Sequence, residues 1–187
     1  MRTWAEPTPS GFLLDAFLFQ SLCNRKTTAQ MLSFAQIKTE AQRITRQAGL
    51  DGVIPVPLER IAHSLGFESL AFDGQKNLAG AIEYSKKRIF VNSNDPATRQ
   101  RFTLAHELGH AVMHAGHDIM DFRKNLEGHQ ADRKELEANA FAADLLMPDL
   151  LFREAWATRQ GKFARMAALF GVSLQAAEIK AKNLGLS

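Results

Sequence analysis

The 187-residue chain has one cysteine, Cys23, so no internal disulfide can close. That excludes a disulfide-stapled secreted scaffold and favours a reducing compartment. It has no run of about 18 apolar residues, which excludes a transmembrane helix and leaves no membrane role. Charge of one sign is scarce, with a formal balance of only +3. Six Lys and Arg against two Glu from Leu151 to Ser187 give a local basic surplus. A surplus of that size reads more readily as a solvated face than as a nucleic-acid surface, so nucleic acid is a possible partner but not the favoured one. What is present is ordinary for one globular domain: 45% hydrophobic, 23% charged and 9% aromatic residues. Disordered and fibrous classes are thereby excluded.

Residues 1–30 stand apart from the rest. Trp4, Pro7, Pro9 and Gly11 precede an apolar stretch that Asp15 interrupts, and no small-residue cleavage site follows. This reads against a signal peptide. The segment reads as an extra N-terminal helix or as a translation start placed too early, with Met31 the true beginning; the second is preferred. From Ser33 onward Phe34, Ile37, Ala41, Ile44 and Ala48 form one helical stripe that Gly49 can end. Pro57 suits the first turn of a second helix carrying Leu58, Ile61, Ala62 and Leu65. Three strand-like segments follow at 67–72, 81–84 and 88–91, the last two flanking Ser85-Lys86-Lys87 as a hairpin. Helical patterning returns with Asp95 as N-cap and Pro96 at the first position. The expected fold is α+β, a helical core with a small, largely antiparallel three-stranded sheet. The expected organisation is an extension over 1–30, a main domain over 31–150, and a helical segment over 151–187 packed on it.

The third helix contains His106-Glu107-Leu108-Gly109-His110. Histidines at i and i+4 share a helix face, so both imidazoles can reach one zinc ion, with Glu107 beside them as a base. Phe102, Leu104, Ala105, Leu108, Val112 and Met113 leave this helix little polar surface, so it should be buried. A catalytic zinc needs a third protein ligand and an open position. A further helix over 130–147 offers Asp132, Glu135, Glu137 and Asp144. Glu137 is favoured, because it and Asn139 open an alanine-rich stretch where helices can pack closely. Asp144, two turns on, can orient a ligating imidazole from behind.

Arg101-Phe102-Thr103-Leu104-Ala105-His106-Glu107-Leu108-Gly109-His110, together with Glu137-Ala138-Asn139-Ala140-Phe141-Ala142-Ala143-Asp144-Leu145-Leu146-Met147-Pro148, resembles the ImmA/IrrE family of bacterial and phage metallopeptidases. The resemblance covers roughly residues 33–186. It implies a zincin-like fold and a third ligand at the glutamate opening the second motif, here Glu137. It further implies a cytoplasmic zinc endopeptidase that cleaves a helix-turn-helix repressor and so relieves repression. The chain resembles the short mobile-element members, since it ends before the C-terminal sensor domain of the radiation-response members.

In such a site Glu107 takes the proton of the attacking water and returns it to the leaving amine. Tyr84, Arg101, His114 and His117 are oxyanion candidates by type and proximity. Tyr84 reads more readily as a packed residue, and His114 as a solvated histidine near a helix end; His117, Asp118 and His129 read as loop polar residues. Residues 80–83 are a strand with equal claims to be an inner strand or an exposed edge that pairs with peptide. Residues 166–177 have a helix-turn-helix rhythm, with Ser173 as a cap. Leu174, Gln175, Ala176 and Ala177 are poor base readers, so packing or partner docking is preferred; Lys180 and Lys182 could touch phosphate. Two other classes stand beside the protease: a DNA- or partner-binding regulator with a non-catalytic zinc site, and a zinc hydrolase of a small substrate.

Overall fold

The computed structural model describes residues 32–74, 78–114, 119–122, 133–158 and 162–186, which include seven α-helices and four strands. In chain order these are α1 (Phe34–Gln47), α2 (Leu58–Ser64), β1 (Glu68–Phe72), β2 (Leu78–Glu83), β3 (Arg88–Asn92), α3 (Ala97–Met113), β4 (Ile119–Phe122), α4 (Arg133–Leu146), α5 (Asp149–Thr158), α6 (Phe163–Phe170) and α7 (Leu174–Asn183). The N-terminal extension, His117, Asp118, His129 and Asp132 lie outside the described residues.

Local chemistry sets the boundaries of α1. Ser33 accepts from the Gln36 amide at 3.3 Å, and the Gln36 side chain accepts from the Ser33 amide at 2.8 Å, a reciprocal cap. Gly49, at φ +67°, takes the left-handed conformation past the other end. Ile37, Ala41 and Ile44 are buried as the stripe requires, but Phe34 is 78% exposed. Phe34 is the first helical residue, and side chains tilt toward the helix N-terminus, so this ring projects beyond the core.

The α+β class holds, and the sheet is larger and more mixed than expected. Its order is β1-β3-β2-β4. The β2–β3 hairpin is antiparallel, closed by a 3-10 turn at Tyr84–Lys86, while β1 runs parallel to β3 from Glu68↔Arg88 to Phe72↔Asn92. The fourth strand, β4, pairs antiparallel with β2. Residues 80–83 are therefore an inner strand, flanked by β3 and β4, and the free-edge reading is corrected. Four residues after a long helix carry too short an alternation to announce β4.

The sheet lies against α3 through β2 and β3, α4 covers another flank of α3, and α1 packs on α4. Enclosed on several sides, α3 has nine consecutive buried residues, Thr103 to Ala111. Its N-cap is Pro96, one residue later than expected. The C-terminal helices add Phe152, Met166, Phe170, Ala177 and Ala181 to the same hydrophobic core. The α6–α7 turn forms as the sequence suggests, with Gly171 at φ +65° and Ser173 accepting from the Ala176 amide at 3.1 Å.

Two expectations change here. Lys180 is 7% exposed, and its ammonium meets Asp144 at 2.8 Å and Asp149 at 2.7 Å, so it is not presented to phosphate. Asp149 also pairs with Lys38. Asp144 thus anchors α7 to α4 instead of orienting an imidazole. Seven residues from Glu137, it shares that residue's helix face, which is turned away from the face of Glu135.

Candidate metal centre

Burying two histidines and a glutamate on one helix requires partners for each polar atom. His106 and His110 are 3% and 1% exposed, and their Nε2 atoms lie 3.0 Å apart. The carboxylate that reaches them belongs to Glu135. Its Oε2 is 3.2 Å from His106 Nε2 and its Oε1 is 3.3 Å from His110 Nε2. The two imidazoles beside it hold the Glu135 carboxyl far below its ordinary range, against the opposing effect of burial. Glu137, favoured from the sequence, points elsewhere: its Oε2 lies 3.0 Å from His114 Nε2, and Arg133 donates to its Oε1 at 3.2 Å. Two residues apart on a helix means about 200° of rotation, so the two glutamates cannot face the same histidine pair.

His106, His110 and Glu135 offer ligand atoms that all lie within 4.8 Å of one another. Tetrahedral ligands at about 2.0–2.1 Å from a zinc ion would be spaced roughly 3.3 Å from each other. The two Nε2 atoms lie 3.0 Å apart and each meets one of the two Glu135 oxygens, at 3.2 and 3.3 Å, and a donor set of two imidazoles and one carboxylate suits such a metal. The outer nitrogens are also held. His106 Nδ1 is 3.0 Å from Asn139 Oδ1, and His110 Nδ1 is 3.0 Å from His114 Nδ1. An amide oxygen only accepts, so His106 donates from Nδ1 and leaves Nε2 as a lone pair for metal.

The sequence did carry a signal for Glu135. Glu135 and Asn139 stand at i and i+4, the spacing of His106 and His110, so one helix face supplies both a carboxylate and an imidazole acceptor.

Glu107, next to His106, turns toward the sheet. A Cβ on Gly80 of β2 would lie 3.0 Å from Glu107 Oε1 and 2.5 Å from Thr103 Cγ2, so only glycine admits the strand at this point. Glu107 is fully buried. Arg101 donates to Val56 O at 3.0 Å and Gly171 O at 3.2 Å, pinning the α6–α7 turn to the segment before α2. Tyr84 packs edge-on against Phe67, ring centroids 5.5 Å apart, with the Lys87 ammonium 4.1 Å above its ring. The structure thus gives both side chains packing contacts distant in kind from oxyanion binding. His114 is no solvated end residue: its side chain is 6% exposed, and burial pushes its imidazole below the usual range despite Glu137.

The fold and this donor set define a candidate metal site on paired helices. The sequence profile of Peptidase_M78, the IrrE N-terminal-like domain, matches residues 61–182, and the chain belongs to this family. It is 29% identical over 154 residues to an uncharacterized immunity region protein 2 of Bacillus phage phi105, covering 79% of this chain and 90% of that one. It is 36% identical over 92 residues to the radiation response metalloprotease IrrE of Deinococcus radiodurans, covering 48% of this chain but only 25% of that protein. Metallopeptidase ImmA of Bacillus subtilis is 29% identical over 118 residues, with 60% and 66% covered. Among solved structures, a Mycobacterium tuberculosis transcriptional regulator shares the fold at TM-score 0.53 and 16% identity, covering 76% of this chain and 45% of that one. Among the described residues no helix is long and apolar enough to cross a membrane.

Proposed function

We propose that this chain is a zinc endopeptidase, with the metal held by His106, His110 and Glu135 and with Glu107 as general base. The observation that carries this reading is the convergence of two imidazole nitrogens and one carboxylate within 4.8 Å of one another, beside a buried glutamate on the same helix as the histidines. Zinc in such a site supplies Lewis acidity toward water and toward a peptide carbonyl. Glu107 takes the water proton and delivers it to the departing amine. Gly80 lets β2 approach that carboxylate, and Asn139 fixes the ring of His106. The substrate class we propose is a helix-turn-helix repressor, cleaved in the cytoplasm to relieve repression. Support comes from the family and from the similarity to a phage immunity-region protein over most of both chains.

The test compares wild type with Glu107→Gln. Zinc is quantified in each, and each is incubated with helix-turn-helix repressors, starting with any encoded beside the gene. Cleavage by wild type alone at equal zinc is expected. Zinc in both, no cleavage by either, and tight repressor or DNA binding would replace the protease with a regulator whose metal is structural.

A further inference from the structure

Beyond the three proposed ligands, a chain of contacts continues out from the site. His114 is the residue that ends α3, one turn past His110, and its ring lies between His110 and Glu137. His110 Nδ1 and His114 Nδ1 are 3.0 Å apart, His114 Nε2 and Glu137 Oε2 are 3.0 Å apart, and Arg133 closes the row on the other Glu137 oxygen at 3.2 Å. Side-chain exposure is 1% at His110, 6% at His114 and 12% at Glu137, so water has little access to the two inner contacts of the row, while Arg133 at its end is 38% exposed.

One proton arrangement satisfies every bond in the row. If His110 binds metal through Nε2, its Nδ1 must carry hydrogen and donate. His114 Nδ1 must then accept, which puts the His114 proton on Nε2, facing the Glu137 carboxylate. That carboxylate accepts from His114 and from Arg133, whose positive charge balances it. A ligating imidazole held by such a partner is fixed in tautomer and ring orientation and is a stronger donor to metal.

We infer that His114 and Glu137 are positioning residues, a histidine–carboxylate relay that holds His110 as a metal ligand. The inference rests on the ligand set His106, His110 and Glu135. It gives Glu137 a role behind the site instead of in it, and it gives the two ligating histidines different supports, a neutral amide for His106 and a charge-backed imidazole for His110.

The test is metal affinity, read by chelator competition, with the visible absorption of the cobalt-substituted protein as a second readout. His114→Ala should weaken zinc binding roughly 10–100-fold and change the cobalt bands. His114→Asn, whose amide oxygen can stand near the lost Nδ1, should recover most of the affinity, a rescue that a merely space-filling role would not show. If His114→Ala does not fold, Glu137→Ala interrogates the same row from its far end, with a loss of roughly tenfold expected. Unchanged zinc affinity and cobalt bands in the folded His114 or Glu137 variants overturn the relay. Failure of the underlying ligand set looks different: Glu137→Gln would then abolish stoichiometric zinc while Glu135→Gln retained it.

Discussion

Gly109 and Ala138 meet backbone to backbone. A Cβ on Gly109 would lie 3.2 Å from Ala138 Cα and 3.1 Å from Phe141 Cδ1. This contact draws α4 close enough to α3 for the short reach of Glu135 to span both histidines. Gly109 itself lies three residues past His106, on the same helix face. Glycine inside a helix costs about 1 kcal/mol relative to alanine, and here the close approach offsets that cost.

Enlarging this contact should therefore damage the site as well as the fold. Gly109→Val is expected to destabilise by about 2 kcal/mol through overpacking and to lose stoichiometric zinc, because the helices must separate. Denaturant unfolding and metal analysis check it; a valine variant that keeps full zinc would show that helix spacing does not govern the ligands.

Asn139 can be tested as the support of His106. Asn139→Ala should weaken zinc binding roughly tenfold, whereas Asn139→Asp, which keeps an acceptor oxygen, should hold affinity near wild type. Equal zinc affinity in all three proteins would remove Asn139 from the site.

At Gly80 the strand meets the proposed base. Gly80→Ala puts a methyl group 2.5 Å from Thr103 Cγ2 and 3.0 Å from Glu107 Oε1, so one of them must move. Turnover should fall by roughly tenfold or more at unchanged zinc content, since small misplacements of a reacting group are costly. Adding Thr103→Ser, which removes the obstructing methyl, should restore part of the rate. Wild-type turnover in the single variant would contradict this placement of Glu107.

Arg101 tests the separation between scaffold and chemistry. Arg101→Met should lower stability by about 1–3 kcal/mol, since two partly buried carbonyls lose a charged donor, yet leave zinc affinity unchanged. A selective loss of turnover without loss of stability would instead favour a direct catalytic part for the guanidinium.

The Asp149 cluster predicts a pH dependence. Hydrogen bonds from Lys180 and Lys38 depress the Asp149 carboxyl below its ordinary 3.8, overcoming burial. A carboxyl with a depressed native pKa contributes stability in full above its unfolded value and loses it as pH falls through the native value. The stability gap between wild type and Asp149→Asn should thus be widest near neutral pH and shrink as pH drops below about 4. A gap that grows on acidification would reverse the assignment.

Much of this was legible in the residues. The Ser33 box, the Gly49 stop, the β2–β3 hairpin, the His106-Glu107 motif and the α6–α7 turn are local features, written within a few residues and governed by helix and turn geometry. Periodicity also announced that α3 would be buried. The identity of the third carboxylate was legible only in part, since Glu135 and Asn139 carry the right spacing but Glu137 opens the more familiar-looking stretch.

The sequence by itself determined the family, the two histidines at one helical turn and the glutamate between them, because i and i+4 share a face whatever the rest of the chain does. Tertiary structure alone decided the partners across elements. Glu135 rather than Glu137 meets the histidines because the contact of Gly109 with Ala138 sets the rotation of α4 against α3. The same rotation sends Asp144 to Lys180, and β4 takes the edge of β2 through pairing between residues far apart in sequence. Local spacing fixes which side chains share a face, but the side chains opposite that face are chosen by how the helices and strands pack.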